Sequence, residues 1–198
     1  MIEEVIYFTS GGLRLAGALA RTPGGRGVII AHPHPLYGGD MDNPVVLAIQ
    51  QAYLHQGFST LRFNFRGVGA SDGRFDNGVG ERADVQAALT WAAGLGMTDI
   101  DLAGYSFGAW VNAGIIAGCR RMVMVSPPVA FMNFGPPVAI ERLRLIVTGG
   151  RDEIAPPAMI DRCRARWNPA AAFEVIPGAD HFYTGFLKTL EDIVAAFI

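Results

Sequence analysis

Three side chains in this sequence have the types and spacing for nucleophilic acyl transfer. Ser106 lies between two glycines in "LAGYSFGAW" (residues 102–110), a G-x-S-x-G spacing. A tight turn that pushes a hydroxyl outward leaves little room two residues either side, so Gly104 and Gly108 fit it. The alternative for Ser106 is an ordinary helix cap. A serine hydroxyl is a weak nucleophile near neutral pH and needs an adjacent base. Of the four histidines, His55 falls near a helix end, and His32 and His34 fall at the mouth of a strand. Only His181, in "PGADHFY", lies both beyond a strand end and C-terminal to a suitable acid. The acid expected to fix its tautomer is Asp152 of "VTGGRDEIAPP". Glu153 is its nearest rival, a turn-capping role is its alternative, and Asp180 is too close in sequence to His181 to bond that ring productively.

The elements that must position these residues follow from apolar patterning. "EEVIYF" and "RLAGALAR" flank "TSGG" and predict an antiparallel hairpin. "GVIIAHP", "STLRFNF", "DIDLAGY", "RMVMVSP", "LRLIVTGG" and "AAFEVIPG" read as buried strands. Helices are predicted in "NPVVLAIQQAYLHQG", with Asn43 as cap and Pro44 first, and in "VGERADVQAALTWAAGLG". Three more are expected in "FGAWVNAGIIAG", "APPAMIDRCRARW" and "YTGFLKTLEDIVAAFI". Strands alternating with helices after an initial hairpin predict an α/β fold, a mostly parallel sheet of about eight strands covered on both faces. In such sheets chemistry sits beyond the carboxyl ends of the strands, where all three residues fall.

Composition narrows the function classes. The chain has 198 residues, is 51% hydrophobic, and carries a net charge of −2. One α/β domain spanning 1–198 is the simplest organisation. No basic stripe points to nucleic acid. No apolar run approaches the roughly 18 residues of a membrane span, and the acidic start does not suit a secretory signal. Two cysteines, Cys119 and Cys163, predict buried thiols in a reducing cytoplasm rather than a disulfide scaffold.

Taken together, "GYSFG", "GGRDEIAP" and "GADHF" make the chain resemble the α/β-hydrolase superfamily over nearly its whole length. Its serine–acid–histidine order is the order of that superfamily. "AHPHPLYGGDMDNPVV" and "NFRGVGASDG" further resemble a small subgroup related to dienelactone hydrolases and short-chain carboxylesterases. Dienelactone hydrolases use a cysteine where this chain has Ser106, which favours a serine esterase. The resemblance implies a catalytic Ser106, Asp152 and His181 with no metal and no cofactor. It also implies an oxyanion hole with one donor at the Phe107 N–H. In "HPHPLYGG" neither Pro33 nor Pro35 has an N–H, which leaves His34 or Leu36 as second donor, and the family pattern points to His34.

The segment "SPPVAFMNFGPPVAIER" is too short for a helical lid. An open site with an apolar wall of Tyr37, Phe131, Met132, Phe134 and Phe182, joined by Phe107, is therefore expected. It suits a small, uncharged ester or thioester as the partner, with neither nucleic acid nor membrane, and allows a homodimer. His32, His34, Asp40 and Asp42 also invite a metal reading, and the glycines of "GVGASDG" a dinucleotide one. Triad hydrolysis needs no metal and the His34 loop already has a role, while the glycine spacing does not fit a dinucleotide fingerprint and favours a loop shaped by Arg66 and Gly67, Gly69 and Gly73. Competing functions are a catalytically silent binding or scaffold protein, and a peptidase or perhydrolase using the same triad.

Overall fold

The computed structural model describes residues 3–135 and 138–198. Pro136 and Pro137, within the segment read as too short for a lid, lie outside the described residues. The elements in chain order are β1 (Glu3–Ser10), β2 (Leu13–Ala20), β3 (Arg26–Ala31), α1 (Pro44–His55), β4 (Ser59–Phe63), α2 (Val79–Gly94), β5 (Asp99–Tyr105), α3 (Phe107–Ala113), β6 (Met122–Val125), β7 (Leu143–Gly149), α4 (Pro157–Trp167), β8 (Ala172–Ile176) and α5 (Leu187–Phe197). The eight strands form one sheet in the order β1-β2-β4-β3-β5-β6-β7-β8. β2 runs antiparallel to both β1 and β4, and from β4 to β8 every pairing is parallel. The expected mostly parallel α/β sheet with an N-terminal hairpin is what forms.

Alternation sorts the strand side chains into two apolar layers, the reason these strands read as continuous hydrophobic runs. Ile29, Leu61, Leu102 and Met124 face α2, α3 and α4. Val28, Ile30, Ala103 and Val125 face α1 and α5. A bulge between Met122 and Val123 shifts the register against β7, so Leu143 and Ile146 share a layer although they are three residues apart. The hairpin turns at Gly11 and Gly12, both at positive φ.

Several boundaries move. α1 begins as predicted, with Asn43 Oδ1 accepting the Val45 N–H at 2.9 Å. α3 ends at Ala113, well short of the predicted Gly118, because Gly114 caps it and Ile115 turns inward while Ile116 is exposed. α5 begins at Leu187 rather than Tyr183, since Tyr183 and Gly185 both have positive φ. Among the described residues no helix lies between β6 and β7. None is long and apolar enough to cross a membrane. Cys119 is buried as expected, whereas Cys163 on α4 is only partly so.

Candidate active site

Ser106 connects β5 directly to α3 with φ of 53° and ψ of −117°, a strained conformation for a residue with a Cβ. It is held by its N–H donating to the Val125 carbonyl at 2.9 Å. A Cβ on Gly104 would fall 2.6 Å from both the Gly108 carbonyl carbon and Asn112 Nδ2. The turn leaves no room for a larger residue there.

His181 reaches this serine from the loop after β8. Its Nε2 lies 3.0 Å from Ser106 Oγ, and its Nδ1 lies 3.0 and 2.9 Å from the two carboxylate oxygens of Asp152. All three residues are buried. Gly149, at the end of β7, lets the acid and histidine loops touch. A Cβ there would sit 2.4 Å from the Ala179 carbonyl oxygen. The loops are then tied by Arg151 N–H donating to that same carbonyl at 2.8 Å.

Asp152 is saturated with donors. Oδ1 accepts the N–H groups of Ile154 at 2.9 Å and Ala155 at 2.7 Å, and Oδ2 accepts the Ser126 hydroxyl at 2.7 Å. Burial pushes the carboxyl up. The hydrogen bond and charge of His181, the Ser126 hydroxyl and the Ala155 N–H outweigh that and hold it below its ordinary value. The rival Glu153 is exposed, as is Asp180, whose Oδ1 accepts the Phe182 N–H at 3.0 Å.

The loop after β3 forms a short 3-10 turn over Pro35–Tyr37. Leu36 N–H donates to His34 Nδ1 at 3.2 Å, so one of the two candidate second donors is already engaged. The N–H groups of His34 and Phe107 donate to no other backbone or side-chain group among the described residues. The His34 ring packs on Phe107 with centroids 4.7 Å apart. His32 has a different task. Its Nδ1 contacts the Pro33 carbonyl at 2.7 Å and its Nε2 accepts the Phe65 N–H at 3.0 Å, so both nitrogens are occupied by backbone. Burial lowers its pKa to about 4.

This arrangement yields a stability prediction. His32 pins the β3 loop to the end of β4, and replacing it by alanine leaves a buried N–H unpaired, a cost of about 1–3 kcal/mol near pH 7. Because the folded-state pKa lies below the ordinary 6.5, the unfolded chain binds the extra proton. The wild-type contribution is therefore complete above pH 6.5 and fades as pH falls towards 4. Denaturant unfolding of wild type and His32→Ala at both ends of that window should show the gap narrowing. A constant gap would contradict the assignment.

The proposed apolar wall divides. Tyr37, Phe131 and Phe182 are exposed, on the loops after β3, β6 and β8, and the Phe182 ring lies edge-on to His181 at 5.7 Å. Met132 is half-buried. Phe134 packs on Trp167 at 4.8 Å and lines a hollow with Ala113 and Ile140 that contains none of Ser106, Asp152 and His181. Asp40 and Asp42 are occupied locally, Asp40 accepting the Asp42 N–H at 2.9 Å and Asp42 pairing with Arg62. Arg66 makes a two-pronged pair with buried Asp84 at 3.0 and 2.7 Å, and a Cβ on Gly67 would lie 2.8 Å from Arg74 Cα. That region is a shaped loop, as expected. Sequence reasoning missed Ser126, Tyr183 and Tyr105, whose hydroxyl donates to the His181 carbonyl at 2.8 Å. The available signal was only that Ser126 ends a parallel strand.

No protein-family model matches the chain. An uncharacterized protein of Rickettsia prowazekii is 34% identical over 195 residues, covering 90% of this chain and 81% of the relative. The structure of an α/β serine hydrolase homologue from Coxiella burnetii is 36% identical, with a TM-score of 0.91 over 99% of this chain and 97% of that one. A serine hydrolase without a lid from Xanthomonas campestris is 27% identical, with a TM-score of 0.87 over 98% and 92% of the two chains. Similarity of this degree along almost the entire length places the chain in the α/β-hydrolase superfamily, beside a member that has no lid.

Proposed function

We propose that the protein is a serine carboxylesterase that moves a small acyl group from an ester or thioester to water through an acyl-enzyme. The observation that carries this reading is the unbroken line from Ser106 Oγ through the His181 ring to Asp152, each contact at about 3 Å. His181 takes the proton of Ser106 as the hydroxyl attacks the carbonyl carbon. Asp152 keeps Nδ1 protonated and stabilises the imidazolium. The N–H groups of Phe107 and His34 receive the oxyanion, and the start of α3 adds partial positive charge there. His181 then protonates the leaving alcohol or thiol, and next deprotonates the water that releases the acid.

The exposed wall residues support the substrate class. Leu36, Tyr37, Phe131 and Phe182 are exposed apolar side chains on three strand-end loops. They offer contact surface to a small, uncharged ester. Reaction with a fluorophosphonate, followed by peptide mass mapping, should place one adduct on Ser106, and His181→Ala should abolish it. Folded protein that takes no adduct would instead support a binding or scaffold role. Acetate and butyrate esters should be hydrolysed faster than long-chain ones, and the reverse order would overturn the small-acyl assignment.

A further inference from the structure

Among the described residues, four without a glycine's freedom have positive φ, and three of them meet at this site: Ser106 at 53°, Ser126 at 45° and Tyr183 at 55°. Such conformations persist only where the surroundings over-determine them, and they gather where function needs them. Ser126 and Tyr183 are fully buried. The Ser126 hydroxyl has one proton, and its 2.7 Å contact with Asp152 Oδ2 uses it, because a carboxylate only accepts. The 2.7 Å contact between Ser126 Oγ and the Tyr183 hydroxyl must then be a donation from the tyrosine. The other acceptor near that hydroxyl, the Val147 carbonyl, is 3.4 Å away.

We infer that Tyr183 and Ser126 form a hydroxyl relay that positions Asp152 and, through it, the ring of His181. The inference rests on the acyl-transfer reading above. Tyr183 thus follows the base by two residues and returns beneath it to hold the acid. The relay orients the carboxylate so that both its oxygens face Nδ1. It also points the positive end of an O–H dipole at the carboxylate, which moderates the negative potential felt by the imidazole. Burial keeps the Tyr183 hydroxyl protonated, so it remains a donor across the working pH range.

The other groups around the pair are few. Tyr105, on β5, donates to the His181 carbonyl. Thr148, on β7, donates to the Ala155 carbonyl at 2.7 Å, and its hydroxyl lies 3.5 Å from Asp152 Oδ2, farther than the Ser126 hydroxyl. Ser106 faces Nε2, while Arg151, Glu153 and Asp180 are exposed beside the acid and histidine loops. None of these charges changes when a relay hydroxyl is removed.

The test is the pH profile of kcat/KM on a small chromogenic ester for wild type, Ser126→Ala, Tyr183→Phe and the double variant, with thermal unfolding alongside. Ser126→Ala should lower kcat about tenfold, as for a hydrogen bond to a charged group. It should also move the acid limb upward by about half a pH unit, since the imidazolium gains a more negative neighbour. Tyr183→Phe should shift the limb in the same direction by less, and should add nothing in the Ser126→Ala background. An unmoved limb, or a Tyr183→Phe effect of equal size in both backgrounds, would reduce the relay to packing. If Ser126→Ala does not fold, the pH dependence of fluorophosphonate labelling in Tyr183→Phe decides the question. An active Ser106→Ala protein would overturn the acyl-transfer reading itself, whereas an inactive one with unmoved limbs in the relay variants would overturn the relay alone.

Discussion

Ser106→Ala is expected to reduce kcat for a small ester on the order of 10⁶-fold, the loss typical when a serine nucleophile is removed from a triad. Folding should be little changed. The substitution removes one hydroxyl and one hydrogen bond to His181, a net effect of about 1 kcal/mol. Asp152→Asn keeps the shape of the acid but offers an amide where His181 Nδ1–H needs an acceptor, and a drop of about 10⁴-fold is expected. Its stability cost should exceed that of Ser106→Ala, because the N–H groups of Ile154 and Ala155 and the Ser126 hydroxyl all converge on that carboxylate. Adding His181→Ala to Ser106→Ala should cost almost nothing more, since residues acting as a unit are strongly non-additive. Steady-state assays with a chromogenic acetate ester, paired with denaturant titrations, measure both quantities. A loss below about tenfold for Ser106→Ala, in folded protein, would remove Ser106 from the reaction.

The residues that meet at the site were legible because each carries its own local constraint. Gly104 and Gly108 announce a turn that excludes side chains, and the structure shows the atoms that exclude them. Asp152 and His181 each follow a short apolar run, and a parallel sheet sends every such exit to the same edge. The hairpin, the two-faced strands and the caps of α1 were readable for similar reasons, since they depend on near neighbours. Strand order was not, because periodicity marks β4 as a strand without saying that it inserts between β2 and β3. Nor was the fate of each aromatic. Phe134 and Phe182 both leave strand ends, yet one packs on Trp167 from α4 and the other stays exposed. That difference is made by tertiary contacts. Ser126 and Tyr183 were invisible for the same reason. Their roles depend on burial, positive φ and a partner tens of residues away, none of which a serine after a strand or a tyrosine after a histidine advertises.

The second large effect is expected at Gly108. A Cβ there would lie 2.3 Å from the Ala31 carbonyl oxygen, 2.6 Å from its carbon and 2.8 Å from the His32 carbonyl oxygen. All three are backbone atoms at the end of β3, so no rotamer change relieves the clash. Gly108→Ala must push α3 away from the sheet, at a cost of about 3 kcal/mol. The same displacement separates the Phe107 N–H from the His34 N–H, because α3 carries the first and the loop after β3 carries the second. A misplaced oxyanion donor costs about 10²-fold to 10³-fold in kcat, so activity should fall together with stability. Gly94 supplies the contrast. It ends α2 with nothing within 4 Å of an added Cβ and without a positive φ, and Gly94→Ala should raise stability by about 0.5 kcal/mol without touching the rate. Measured side by side, the two substitutions separate the general helix preference for alanine from the contact between α3 and β3. A Gly108→Ala protein with wild-type unfolding midpoint and kcat would mean that the glycine does not set the distance between nucleophile and oxyanion loop.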